Sequence, residues 1–353
     1  MHKAIRYIGS KQKLLNFLED NMLSKLKDNE SFFEGFSGSG ILSQYIASKD
    51  IKLKVTGADI SKYSESLFLI PNIYNEFSKE ELFNIFKNFS LEKPLKGIFY
   101  HEFSPEGKPV TYHEPRNFYH PASAIMIDTY KHYISNLLNQ NMINIEQKNI
   151  LMFFLLSYAC KSANTTSVFG AFLKGKPKFK PLDLSFFQKV INDLEEVKKT
   201  KSSFSFIEND IINSLEKIGK QDIIYLDPPY NTRKYESNYH ILNYVADLDF
   251  NIEKIKKGTK TALPIQQHKN PFGNAKNTET IFKQMILLSV KKSKKTYISY
   301  NTDGIITQEW MEKFCRDNNL KLQTETLTYK RFKAKKSDNN EKELKEILWN
   351  IKK

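Results

Sequence analysis

The chain reads as an α/β protein built on a doubly wound sheet, with a long, mainly helical segment inserted into it. Three observations predict this. Strand-like apolar runs alternate with helix-period stretches in two blocks, residues 1–65 and 204–353, and such alternation argues for a largely parallel sheet with helices on both faces. A glycine-rich turn carrying Gly35, Gly38 and Gly40 joins one strand-like run to a helical one. The tetrapeptide Asp227, Pro228, Pro229, Tyr230 closes another apolar run, Ile223 to Leu226.

In chain order, residues 11–27 have helical periodicity, 31–33 and 52–57 read as strands, and 41–48 is the crossover helix between them. Further strands are expected at 204–207, 222–226 and 296–300, with helix 278–293 before the last. Two strand-like runs at 321–328 and 344–351, joined by a polar stretch, predict a terminal hairpin. The intervening segment is too long for a loop. It reads mostly helical, for example over 125–138 and 145–161, with turn-rich portions at 103–118 and 162–181. The expected organisation is therefore one sheet-bearing domain from residues 1–65 and 191–353, with 66–190 as an inserted helical subdomain.

The tetrapeptide has a chemical reading. An amino group conjugated to a ring is a weak nucleophile, so it needs acceptors for its hydrogens and a surface for the ring. Asp227 and the carbonyl of Pro228 can accept, while Tyr230 can stack. The two prolines fix φ and remove competing N–H donors. The plain alternative is an ordinary polar turn after a strand. The glycine turn reduces that alternative's weight, because nineteen residues after Gly40 stands Asp59, again at an expected strand end. A carboxylate there can accept from both hydroxyls of a ribose. No Gly-Lys-Ser/Thr run supports a phosphate-cradling loop, and the glycine spacing departs from the dinucleotide fingerprint, which disfavours NAD.

With these motifs in place, the chain resembles the Dam-like, alpha-class DNA adenine methyltransferases, which bind S-adenosylmethionine. Arg6 to Lys11, with Tyr7, Gly9 and Lys11, is similar to the family's first cofactor motif. Phe33 to Gly40, with Glu34, Phe36, Gly38 and Gly40, is similar to the second. The resemblance implies a Rossmann-like methyltransferase sheet, Asp59 as the ribose acid, Asp210 as the acid meeting the cofactor's adenine, and Asp227 to Tyr230 as the catalytic tetrapeptide. Residues 227–235 are particularly like restriction-modification members, and Ser299 to Asn301 and Tyr329 to Phe332 continue the likeness. It implies site-specific methylation of a flipped-out adenine in double-stranded DNA, with a cognate endonuclease as partner, and target recognition in the inserted segment.

Charge agrees with a polyanionic partner. Lys and Arg number 54 against 40 Asp and Glu, a formal +14. Lys174, Lys176 and Lys178 lie beside two glycines and an aromatic and are the expected DNA contacts, together with Arg233 and with Lys330, Arg331 and Lys333. Lys254 to Lys260 and Lys291 to Lys295 could also neutralise phosphates, although the latter ends a helix. His101, His113, His120 and His132 lack a metal-ligand spacing, and methyl transfer from a sulfonium needs no metal. Two distant cysteines, no apolar signal segment and no run of 18 apolar residues point to a reducing cytoplasm and away from membranes. Two readings stay open beside the main one. A cytosine-amino or RNA adenine methyltransferase could use the same tetrapeptide, and a non-catalytic DNA-binding subunit could retain the cofactor fold.

Overall fold

The computed structural model describes residues 3–230, 235–266, 270–329 and 344–353. Seven strands form one sheet: β1 Ser31–Gly35, β2 Lys54–Asp59, β3 Ser203–Glu208, β4 Gln221–Leu226, β5 Ser293–Asn301, β6 Lys321–Tyr329 and β7 Leu344–Lys352. Their order is β3-β2-β1-β4-β5-β7-β6. Strands β3 through β5 run parallel, and β7 enters antiparallel between β5 and β6. The expected terminal hairpin is present, paired from Lys321↔Lys352 to Tyr329↔Leu344.

Alternation along the strands divides the apolar core in two, because successive side chains leave a strand on opposite faces. Phe32, Ile223, Tyr225 and Leu348 join one cluster, and Phe33, Ile224, Leu226 and Trp349 join the other. Both phenylalanines of β1 are fully buried. This is why β1 reads as a continuous apolar run, as central parallel strands do. Helices Ile211–Lys217, Ala275–Lys292 and Gln308–Asp317 cover the second cluster.

The first cluster extends without a break into residues 66–190. It joins Val55 and Tyr225 of the sheet to Phe86, Phe153 and Phe187 of the helices Lys79–Phe89, Ile145–Ser162 and Leu184–Asp193. The Ile145–Ser162 helix starts with a capping box, in which the Asn144 side chain accepts from the Gln147 backbone and Gln147 returns the bond. Beyond its first turn it is buried almost all round. It packs on Lys62–Leu69, Tyr235–Ala246 and Pro121–Asn139. Among the described residues no helix is long and apolar enough to cross a membrane.

Residues 11–27 are not a single helix. They break into a 3₁₀ turn Lys11–Leu14, the helix Leu15–Asn21 and a second 3₁₀ turn Leu23–Lys25. Met22 leaves the helical region at φ −136° while its side chain sinks completely into the core. Burial of one side chain outweighs the small cost of ending a short helix there.

Strand order reverses between β1 and β4. In doubly wound sheets such a switch point opens a crevice beyond the carboxyl ends of the strands.

Candidate active site

A cavity of about 690 Å³ opens at that switch point, within the range of roughly 300–1,000 Å³ usual for small-molecule sites. Four strand ends contribute to its wall. Phe36 follows β1, Asp59, Ile60 and Ser61 end β2, Asn209 and Asp210 follow β3, and Asp227 to Tyr230 follow β4. Tyr7, Ile8 and Gly9 close one side, and Asn270 to Asn274 another.

The glycine turn is shaped by left-handed backbone. Phe36, Gly38 and Gly40 have φ of 63°, 50° and 65°. At Gly38 a Cβ would stand 3.0 Å from the Tyr7 ring, and at Gly40 it would stand 2.4 Å from the Leu67 carbonyl oxygen. The first glycine thus keeps room for Tyr7, and the second lets the Lys62–Leu69 helix approach. Tyr7 stacks on Tyr239 at 4.8 Å between ring centres. The Tyr239 hydroxyl accepts from the Ile8 N–H at 2.7 Å, which fixes the first motif against the second half of the chain.

Asp59 is held by backbone donors. Gly38 N–H donates to its Oδ2 and Ser61 N–H to its Oδ1, each at 2.9 Å. Burial pushes the Asp59 carboxyl above its ordinary range, and these N–H groups pull it back. Each oxygen keeps acceptor capacity toward the cavity. Asp210 is committed differently. Its Oδ1 accepts from the Ile212 and Asn213 N–H groups at 3.0 Å, capping the Ile211–Lys217 helix, and the Asn213 side-chain amide donates to Oδ2.

Asp227 faces a buried cation. Lys11 Nζ lies 2.8 Å from its Oδ1 and 5.8 Å from the centre of the Tyr230 ring. Burial disfavours the Lys11 ammonium, but Asp227, Tyr225 and Glu346 together outweigh this and hold it charged. Burial likewise raises the Asp227 carboxyl, and Lys11 opposes the rise. Glu34 stands behind the cavity, 4% exposed, and its Oε2 has no partner among the described residues. Burial, with Asp227 and Asp59 nearby, pushes Glu34 well above the usual carboxylate range. Within this cluster of acids Lys11 is the charge partner of Asp227. Tyr230 is set edge-on to Tyr300 at 6.0 Å.

Of the residues expected from sequence, Tyr7, Gly9, Phe36, Asp59, Asp210 and the whole tetrapeptide line one cavity. Lys11, Glu34, Gly38 and Gly40 stand outside the lining, supporting it. Lys174, Lys176 and Lys178 are exposed on a loop that meets the Tyr235–Ala246 helix, where Phe169 N–H donates to the Asn238 carbonyl at 2.8 Å. Arg233, Lys330, Arg331 and Lys333 lie outside the described residues. Sequence reasoning passed over Asn270 to Asn274 and Asn243, all of which line the cavity. The Asn-Pro-Phe-Gly-Asn run is a turn signal, but nothing local says that the turn faces a site. Asn243 has a buried Oδ1 without a partner among the described residues.

The sequence is similar to known methyltransferases along its length. It is 28% identical to the Type II methyltransferase M.NlaIII of Neisseria lactamica, covering 95% of this chain and 94% of that one. It is 26% identical to modification methylase StsI of Streptococcus sanguinis, covering 98% of this chain and 52% of that one. It is 27% identical to the Type II methyltransferase M.CviAII of Paramecium bursaria Chlorella virus 1, covering 94% and 93%. The family model of the D12 class N6 adenine-specific DNA methyltransferases matches residues 7–314. The chain belongs to that class.

Proposed function

We propose that the protein methylates the exocyclic amino group of adenine at one short DNA site through the cavity at the β1–β4 switch point, as the modification half of a restriction-modification pair. The observation that carries this reading is the convergence of Asp59 and Asp227 to Tyr230, from distant parts of the chain, on one cavity. S-adenosylmethionine suits that cavity in volume and in acceptors, and when bound it supplies a methyl group already activated on sulfonium.

Asp59 would hold the ribose hydroxyls, and the turn through Phe36 and Gly38 would lie under the nucleoside. Asp210, already a helix cap, stands in the same wall. Asp227 accepts from the target amine and favours the positive charge that develops on nitrogen during attack. Pro228 offers its carbonyl, Pro229 fixes the turn, and Tyr230 stacks on the base. Positioning and exclusion of water then account for most of the catalysis. A base inside a duplex cannot reach such a cavity, so the adenine is flipped out. The loops at 103–118 and 162–181 meet the duplex, with Lys174, Lys176 and Lys178 on phosphates. The Type II relatives support the pairing with an endonuclease.

Sequencing of modified bases in DNA from cells expressing the chain tests this directly. The expected result is N6-methyladenine at a single short motif. Methylcytosine, or methylation confined to RNA, would overturn the reading.

A further inference from the structure

Three loops far apart in sequence form one surface beside the cavity. They are residues 103–118, 163–181 and 251–266. Arg116, fully buried, joins the first to the third. Its guanidinium donates to the Thr259 and Lys260 carbonyls at 2.9 and 3.1 Å, and to Glu102 Oε2 at 2.7 Å. Gly258 N–H adds a bond to the Thr111 carbonyl at 2.9 Å. Asn164 joins the second loop to the first. Its backbone N–H donates to Phe118 at 2.7 Å and its amide to the Asn117 carbonyl at 3.0 Å. The second and third loops meet where Lys260 Nζ lies 5.6 Å from the Phe172 ring centre.

All of this is anchored on the Tyr235–Ala246 helix, which also supplies Ser237 and Asn243 to the cavity. His240 Nε2 is 2.6 Å from the Thr261 carbonyl, and the Tyr244 hydroxyl donates to Ala262 at 3.0 Å. The third loop exposes Lys256, Lys257 and Lys260, just as the second exposes Lys174, Lys176 and Lys178. None of the six forms an ion pair among the described residues. The first loop exposes Lys108 beside Glu106 and Glu114, whereas the other two expose more lysines than acids, so most of the cationic character lies on them.

We infer that the 251–266 loop, which follows the catalytic tetrapeptide in sequence and packs against loops 103–118 and 163–181, is part of the DNA-docking surface, and that Lys256 and Lys257 neutralise backbone phosphates. The inference rests on the reading that the 162–181 loop faces the duplex. Six ammonium groups without an acidic partner among the described residues, on one surface next to the cavity that must receive the base, match a polyanion in charge and position. Arg116 keeps the two halves in register. Its removal would leave Glu102 buried and unpaired, so it is a poor probe.

The test compares two surface variants, Lys256→Gln with Lys257→Gln, and Lys174→Gln with Lys176→Gln and Lys178→Gln. Binding of a labelled duplex is followed against salt concentration, with cofactor affinity measured in parallel. The 256/257 pair should flatten the log–log salt slope by about 0.9 per lost contact, raise KM for DNA and leave cofactor affinity unchanged. An unaltered slope in this pair with a flattened slope in the triple variant would overturn the inference and spare the reading beneath it. Unaltered slopes in both would overturn both. A loss of cofactor affinity equal to the loss of DNA affinity would also overturn the inference, because the loop would then be supporting the fold.

Discussion

Replacing Lys11 with Met removes the cation that pairs with Asp227 among the described residues. The pair is 2.8 Å apart and its side chains are 6% and 18% exposed, so little water can replace the lost ammonium. Removing one partner of a buried pair costs about 3 to 5 kcal/mol. With unfolding entropy of about 2.1 cal/mol/K per residue, 353 residues unfolding together convert that into roughly 4 to 7 °C of melting temperature. The pH dependence has a definite sign. Burial already holds the folded Asp227 carboxyl above its ordinary 3.8, and without Lys11 it rises further. The folded variant then binds this proton more tightly than the unfolded chain does. Its deficit is therefore largest above that raised pKa and shrinks as pH falls through it. On the proposed mechanism activity follows the same group, since only the carboxylate can favour charge on the attacking nitrogen. The acid limb of the kcat profile should move to higher pH in the variant. Differential scanning fluorimetry across pH, with a methyl-transfer assay at saturating substrates, reads both. An unchanged melting temperature at neutral pH together with an unmoved acid limb would refute the reasoning.

Asp59→Ala should weaken S-adenosylmethionine binding by about 10- to 150-fold, because hydrogen bonds to a charged acceptor are worth about 1.5 to 3 kcal/mol; calorimetry with unaltered affinity would move the ribose site elsewhere. Tyr230→Ala should lower transfer through lost stacking, worth about 1 to 3 kcal/mol per base, while cofactor affinity stays; single-turnover kinetics at the parent's rate would remove Tyr230 from the stacking role. The triple glutamine variant at Lys174, Lys176 and Lys178 should bind every DNA sequence more weakly alike and leave site preference intact, as phosphate contacts do; a changed preference would make these lysines base readers.

Local signals made the sheet and most of the cavity legible. Asp227 to Tyr230 after an apolar run, Asp59 after Val55 to Ala58, and three glycines ahead of Ile41 each follow from turn chemistry and strand patterning, and each is found at a strand end. Strand limits differ by up to three residues, as at β5, which begins at Ser293 and runs to Asn301. What stayed hidden was tertiary. Lys11 carries no local sign that it will be buried against Asp227. Asn243 has the spacing of any helical residue, and Asn270 to Asn274 that of any turn. The break at Met22 likewise comes from burial and not from propensity. The position of β7 between β5 and β6 depends on which sheet edge the hairpin meets. Periodicity does not report that.

The central claim is that methyl transfer to adenine takes place against Asp227. Purified protein and its Asp227→Ala variant can be incubated with unmethylated duplex DNA and labelled S-adenosylmethionine, the DNA digested, and the nucleosides resolved by mass spectrometry, with cofactor binding measured on the same samples. The account predicts labelled N6-methyladenine from the parent, and none from a variant that still binds the cofactor. Label on cytosine, or adenine methylation by the variant near the parent's rate, would contradict it.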